Sequence, residues 1–156
     1  MTTPDIIQAT LTVTRDYDFS PEQVFAAWSS TEAKSQWFAC ATDHFTIDAY
    51  SLDFRSGGAE HCRGAHPGGV FTNDGIYHYI VENEKIVLSY YMTLDGVPYS
   101  VSLTTIEIEA RGSGSRLTLT EHNAFLTGND ENKSRTVGWG WGLDRLNNAL
   151  KEGGLS

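Results

Sequence analysis

The chain reads as an α+β fold with a curved antiparallel sheet of about seven strands, two short helices after the first strand and a long C-terminal helix. Three observations predict it. Apolar and polar residues alternate through most of residues 45–123, with short turn signals between the runs. A helix-start pattern follows the first strand after residue 18, and an apolar stripe of helical period runs from about residue 130 to Lys151. All 156 residues fit one domain, large enough to bury a core without staples.

Residues Ile6 to Asp16 place Thr10, Thr12 and Thr14 opposite Leu11 and Val13, the signature of a first strand. Ser20-Pro21-Glu22-Gln23 then offers an N-cap serine, a proline at the first helical position and a glutamine at the third, which together form a capping box. Val24, Phe25 and Trp28 follow on one face. A second short helix starts at Thr31 and sets Ala33 and Trp37 four residues apart. Six strands are predicted next: Phe45 to Tyr50, Gly58 to Cys62, Val70 to Val81, Lys85 to Thr93, Pro98 to Ala110 and Arg116 to Asn123. Ser56-Gly57-Gly58, Pro67-Gly68-Gly69, Glu82-Asn83-Glu84, Asp95-Gly96 and Arg111-Gly112-Ser113-Gly114 punctuate them, each short enough to join antiparallel neighbours. In the fifth of the six, the apolar phase slips between Val101, Leu103 and Ile106, Ile108, which predicts a bulge at Thr104-Thr105 that bends the sheet. The last helix is capped by Asn129 or Asp130, carries Trp139, Leu143, Leu146 and Leu150 on one face, and stops at Gly153-Gly154 near Lys151. Gly138, Gly140 and Gly142 lie inside it, each costing about 1 kcal/mol against alanine. Close backbone approach to strands or a ligand would compensate that loss; otherwise the helix bends or starts later.

A formal charge of −9 and a pI near 4.8 argue against nucleic acid or an anionic membrane surface as a partner. Cys40 and Cys62 are too few for a disulfide framework, the N-terminus shows no basic start followed by an apolar run, and no apolar stretch nears the roughly 20 residues that span a bilayer. These features predict a soluble cytoplasmic protein with two free thiols. Edge strands and surface aromatics leave a homodimer open.

The most informative residue is Glu121. It follows Leu117 and Leu119 in steps of two, so it shares their buried face, where a dry unpaired carboxylate is costly. It therefore needs a partner, a wet hollow or a ligand. Glu60 is the second carboxylate of interest, since two carboxylates in different surroundings can divide acid and base roles. The alternative is that each pairs with a basic residue, such as Arg55 or Arg135, or reaches solvent. His44, His61, His66, His78 and His122 are scattered without zinc-site spacing, no serine sits in a nucleophile elbow, and no cofactor motif is present. Cys40 reads as an inert buried thiol. Tyr90 and Met92 share the phase of Ile86 and Leu88. With Trp37, Glu121, Trp139 and Leu143 they are the predicted lining of an inner cavity for a small apolar or aromatic molecule, although such aromatics also serve as plain core.

Lys34-Ser35-Gln36-Trp37-Phe38, Asp53-Phe54-Arg55-Ser56-Gly57-Gly58-Ala59-Glu60 and the run from Leu117 through Glu121-His122-Asn123-Ala124-Phe125-Leu126 resemble the family named after the C-terminal domain of the activator of Hsp90 ATPase. The element order resembles the helix-grip fold of its superfamily, START-like or SRPBCC. The resemblance implies a cavity between the curved sheet and the last helix, used in that superfamily for lipids, hormones, polyketides and other apolar molecules. The same fold hosts carriers, cyclases and interaction modules, so two other roles stay open: a cyclase, dehydratase or hydrolase in which Glu60 and Glu121, read from the residues above, divide acid and base roles, or an interaction with a chaperone by analogy with the family's name. Tyr79 and Lys85 stand where relatives carry an aspartate and an arginine, so a role resting on that pair does not transfer.

Overall fold

A computed structural model of the chain describes residues 2–153. Its elements follow the predicted order: β1 (Ile7–Tyr17), α1 (Pro21–Ala26), α2 (Thr31–Lys34), β2 (Thr46–Leu52), β3 (Ala59–His66), β4 (Gly69–Val81), β5 (Lys85–Leu94), β6 (Val97–Arg111), β7 (Gly114–Phe125) and α3 (Asn132–Lys151). The seven strands form one antiparallel sheet in the order β1-β7-β6-β5-β4-β3-β2, a meander from β2 to β7 with β1 added beside β7. The fold is α+β, with the helices on the inner face of a curved sheet.

Local chemistry sets the boundaries. Ser20 accepts from the Gln23 backbone N–H while the Gln23 side chain accepts from the Ser20 N–H, so the capping box forms as the sequence predicts. Ser30 caps α2 in the same way through the Ala33 N–H. Asp95 and Gly96 both take positive φ, 51° and 78°, which lets a two-residue turn join β5 to β6 without splaying them. The start of α3 differs from its prediction. Asn132 is its first residue and Glu131 occupies the cap without a side-chain bond to the helix backbone, while Asp130 accepts from the Asn132 N–H at 2.9 Å. Gly153, at φ 72°, follows its end, and Gly154 lies outside the described residues.

One prediction is overturned. Strands β6 and β7 stay in register through Thr104, opposite Glu121, and Thr105, opposite Thr120, so no bulge occurs there. Register shifts fall instead at Asp48 in β2, at His78 in β4 and at Tyr99 in β6. The inner face of β6 runs Ser100, Ser102, Thr104, Ile106, Ile108 in one unbroken phase, all buried, while Val101 and Leu103 are each 45% exposed on the outer face. The apparent phase slip is thus a change in chemistry along one face. Its first half is polar because it looks onto buried charges.

The core lies between the sheet and the helices: Ile86, Ile106, Leu117 and Leu119 from the strands meet Val24, Trp28, Trp37, Leu143 and Leu146. Each such large apolar side chain contributes about 1.5–3 kcal/mol on burial. α1 lies against β6 and β7, and α3 is tied to β1 by Arg15 to Asp144, Tyr17 to the Leu143 carbonyl and Asn132 to the Thr10 carbonyl. That arrangement leaves the space between α3 and strands β2 to β5 uncovered. No helix among the described residues is long and apolar enough to cross a membrane.

Candidate functional site

Both glutamates singled out by sequence point inward and are buried, Glu60 at 4% and Glu121 at 0% exposure. They do not meet. Glu60, on β3, receives the Lys34 ammonium at 2.7 Å, the Tyr50 hydroxyl at 2.6 Å and the Tyr77 hydroxyl at 3.1 Å. Lys34 comes from α2 and is itself only 1% exposed. Its Nζ lies 4.0 Å from the Phe38 ring centroid and 5.3 Å from that of Trp28, so aromatic faces complete the cation's shell. Burial, followed by the Glu60 charge, holds the Tyr50 and Tyr77 phenols well above their ordinary value. Burial also pushes the neighbouring Cys62 thiol up to about 12.

Glu121, on β7, has another set of partners. Its Oε1 accepts from Tyr90 at 2.6 Å, Thr104 at 2.7 Å and the Trp139 indole at 3.0 Å, while Arg135 approaches Oε2 at 3.4 Å. The Arg135 guanidinium, reaching down from α3, also donates to Ser100, Ser102, Asn123 and the Tyr90 oxygen. Those serines and Thr104 are the polar half of β6. Burial, followed by the Glu121 charge, raises the Tyr90 phenol.

Between α3 and strands β2 to β5 runs a groove of about 330 Å³. Its helical wall is drawn from Glu131, Ser134, Arg135, Gly138, Trp139, Gly142 and Arg145, which fall on one face of α3. The sheet contributes Phe71, Tyr90, Met92, Leu94 and Tyr99, and Phe38 and Phe45 close the sides. α3 is continuous helix through its glycines, so it neither breaks nor starts late. A Cβ on Gly138 would meet nothing within 4 Å and one on Gly142 would make ordinary contact with Arg145 and Trp37, whereas one on Gly140 would come within 3.0 Å of the Arg15 guanidinium. Of the three glycines only Gly140 thus allows a close approach, and Gly138 leaves the hollow open.

Of the residues expected in a lining, Tyr90, Met92 and Trp139 lie along the groove. Trp37 and Leu143 are fully buried behind the wall, and Glu121 lies beneath Tyr90, Arg135 and Trp139 rather than in the lining. Trp141, 48% exposed, faces away and stacks on His44. Arg135 is the basic partner anticipated for Glu121, while Arg55 pairs with Asp53 instead of Glu60. Sequence reasoning missed Lys34, Arg145, Phe45 and Phe71. The polar run Ser100, Ser102, Thr104 opposite Glu121 was the signal that a charged network lay there. Among the described residues no three His, Cys, Asp or Glu side chains are placed to hold a metal ion.

The family model described as activator of Hsp90 ATPase homolog 1-like protein matches residues 18–151. A structure of an uncharacterized protein from Rhizobium leguminosarum is similar to the chain at 38% identity and a TM-score of 0.91, covering 97% of this chain and 99% of that one. The Mll3558 protein of Rhizobium loti follows at 36% identity and TM-score 0.84, over 92% and 97% of the two chains. CV1439 of Chromobacterium violaceum, 23% identical over 89% of this chain and 95% of its own with a TM-score of 0.69, shares the fold. No functionally curated protein matches the chain.

Proposed function

Given that this chain belongs to the activator of Hsp90 ATPase homolog 1-like family, within the SRPBCC superfamily, we propose that it binds a small apolar or aromatic molecule in the groove beneath α3. Gly138 is the observation that carries the reading. A helix position facing a hollow gains nothing from glycine in stability, losing about 1 kcal/mol relative to alanine, yet a side chain there would occupy the space a ligand needs. A volume near 330 Å³, walled by Phe38, Phe45, Phe71, Met92 and Trp139 with a few polar groups converging, lies in the range of small-molecule sites.

Acid and base roles for Glu60 and Glu121 have less behind them. Neither carboxylate lines the groove, they share no partner, and each already accepts three or more donors. A bound substrate would have to displace those donors first.

The groove reading is tested with an uncharged fluorescent probe, N-phenylnaphthylamine. It should bind the full chain with energy transfer from tryptophan, and Gly138→Leu should weaken binding about tenfold or more by filling the hollow, while the far-ultraviolet circular dichroism stays unchanged. A probe that ignores the wild type, or binds it and Gly138→Leu alike, overturns the proposal.

A further inference from the structure

Among the described residues every arginine except one has a carboxylate partner within 4.0 Å; the exception, Arg145, stands in the wall of the groove. It is half-buried, on the last full turn of α3 that faces the hollow. Its Nε donates to the Trp37 carbonyl at 2.9 Å and its guanidinium lies 5.7 Å from the centre of the Phe45 ring, so the side chain is held at both stem and head. Its two Nη groups find no acceptor among the described residues. A guanidinium carries five N–H donors, and here only one is used inside the protein. Arg135, the other arginine of the wall, differs. Its Nη atoms already meet five side-chain acceptors, Glu121 among them, so its charge is matched inside the protein.

The two ends of the groove carry opposite charge. Glu131 occupies its opposite end, fourteen residues earlier on the same helix and so about 21 Å away at 1.5 Å per residue. A carboxylate there disfavours an anion, while the unmatched guanidinium favours one at the Arg145 end. Between them the walls are aromatic: Trp139 and Phe38 on one side, Phe45 and Phe71, whose rings meet edge to face at 6.0 Å, on the other. His66 stacks on Phe71 and accepts the Gly68 N–H at Nδ1, so the neutral ring carries its proton on Nε2 as a further donor in the lining.

Resting on the groove reading above, we infer that the ligand class is a small aromatic carboxylate, its ring between Trp139 and Phe71 and its carboxylate forked onto the Nη groups of Arg145. In a chain of net charge −9, one unpaired arginine over an aromatic floor selects a singly charged organic acid from neutral and cationic molecules of the same shape.

Calorimetric titration of the full chain with naphthoate, naphthamide and naphthylmethylammonium tests this. Naphthoate should bind about tenfold or more tighter than naphthamide, and the ammonium compound weakest. Arg145→Gln should abolish the preference for naphthoate over naphthamide, with the far-ultraviolet circular dichroism unchanged to show that the variant is folded; Arg145→Lys should retain part of the preference. Equal binding of the three probes by the wild type, or an undiminished naphthoate preference in Arg145→Gln, overturns the carboxylate assignment and leaves the groove standing. Binding of none of the three overturns both.

Discussion

The two buried ion pairs of this molecule solve one problem in opposite ways. Lys34 and Glu60 are sealed: the cation is 1% exposed, the anion 4%, and rings of Phe38, Trp28 and Trp37 close over them. Arg135 and Glu121 form a layered pair, with the carboxylate fully buried and the guanidinium 13% exposed at the groove. A lysine with three donors and two phenols suffices to saturate one carboxylate. The second site spreads a fork of donors over serines, an asparagine and a phenol, so its charge is shared among many partners. A sealed pair is rigid and indifferent to solvent; the layered one links a buried charge to the lining of the hollow. Only the second borders the groove.

The comparison breaks most severely where the sealed pair is cut. Lys34→Met leaves Glu60 buried with only phenol donors and should cost about 3–5 kcal/mol, because an uncompensated buried charge cannot reach water. Adding Glu60→Leu should restore most of that loss, less about 1 kcal/mol for each hydroxyl left without its acceptor. Urea unfolding of the two variants measures both. A single substitution costing under about 1 kcal/mol would mean that water reaches this pair.

A smaller effect separates the sites at high pH. The phenols of Tyr50, Tyr77 and Tyr90 are all held above their ordinary value of 10.0, first by burial and then by the neighbouring carboxylate. A folded-state pKa raised above the unfolded one means that the stabilisation is complete below about pH 10 and declines above it, by roughly 1.4 kcal/mol per pH unit for each fully buried phenol. The Glu60 site holds two raised phenols, the fully buried Tyr77 and the half-buried Tyr50, and the Glu121 site one, whose shift Arg135 opposes. Urea midpoints at pH 9 and pH 11 should therefore recover more alkaline stability in a variant carrying both Tyr50→Phe and Tyr77→Phe than in Tyr90→Phe, relative to each variant at neutral pH. Equal recovery would erase the distinction.

Much of this was legible in the letters where a signal is local. Ser20 and Gln23 are three residues apart and cap α1 themselves; Asp95-Gly96 is a complete turn; Glu121 two positions after Leu119 can only face inward. The site was less legible because its pairings are tertiary. Lys34 reads as an ordinary exposed helix residue, and only the fold brings it to Glu60, 26 positions away. The β6 error has the same origin. Val101, Leu103, Ile106 and Ile108 read as one apolar face with a slip at Thr104-Thr105, because apolar residues usually face inward, but Arg135 arrives from α3 and makes the serines the better inner set. Phe45 and Phe71 sit near strand ends, where periodicity says nothing about what they cover.

The mildest test sharpens the layered site. Glu121→Gln keeps an oxygen for Tyr90, Thr104 and Trp139 but turns an amide N–H toward Arg135, replacing an attraction at 3.4 Å with two facing donors. Arg135 does not become an orphan, since Ser100, Ser102, Asn123 and Tyr90 still accept from it and its edge reaches the groove. The cost should therefore be about 1–2 kcal/mol, less than half that of Lys34→Met, and the guanidinium should lean toward the hollow. There it would become a second cation for naphthoate, so Glu121→Gln should bind that anion more tightly while losing stability. A variant as unstable as Lys34→Met, with unchanged naphthoate binding, would make the two pairs alike and the layering of charge behind the groove wall irrelevant to what the groove holds.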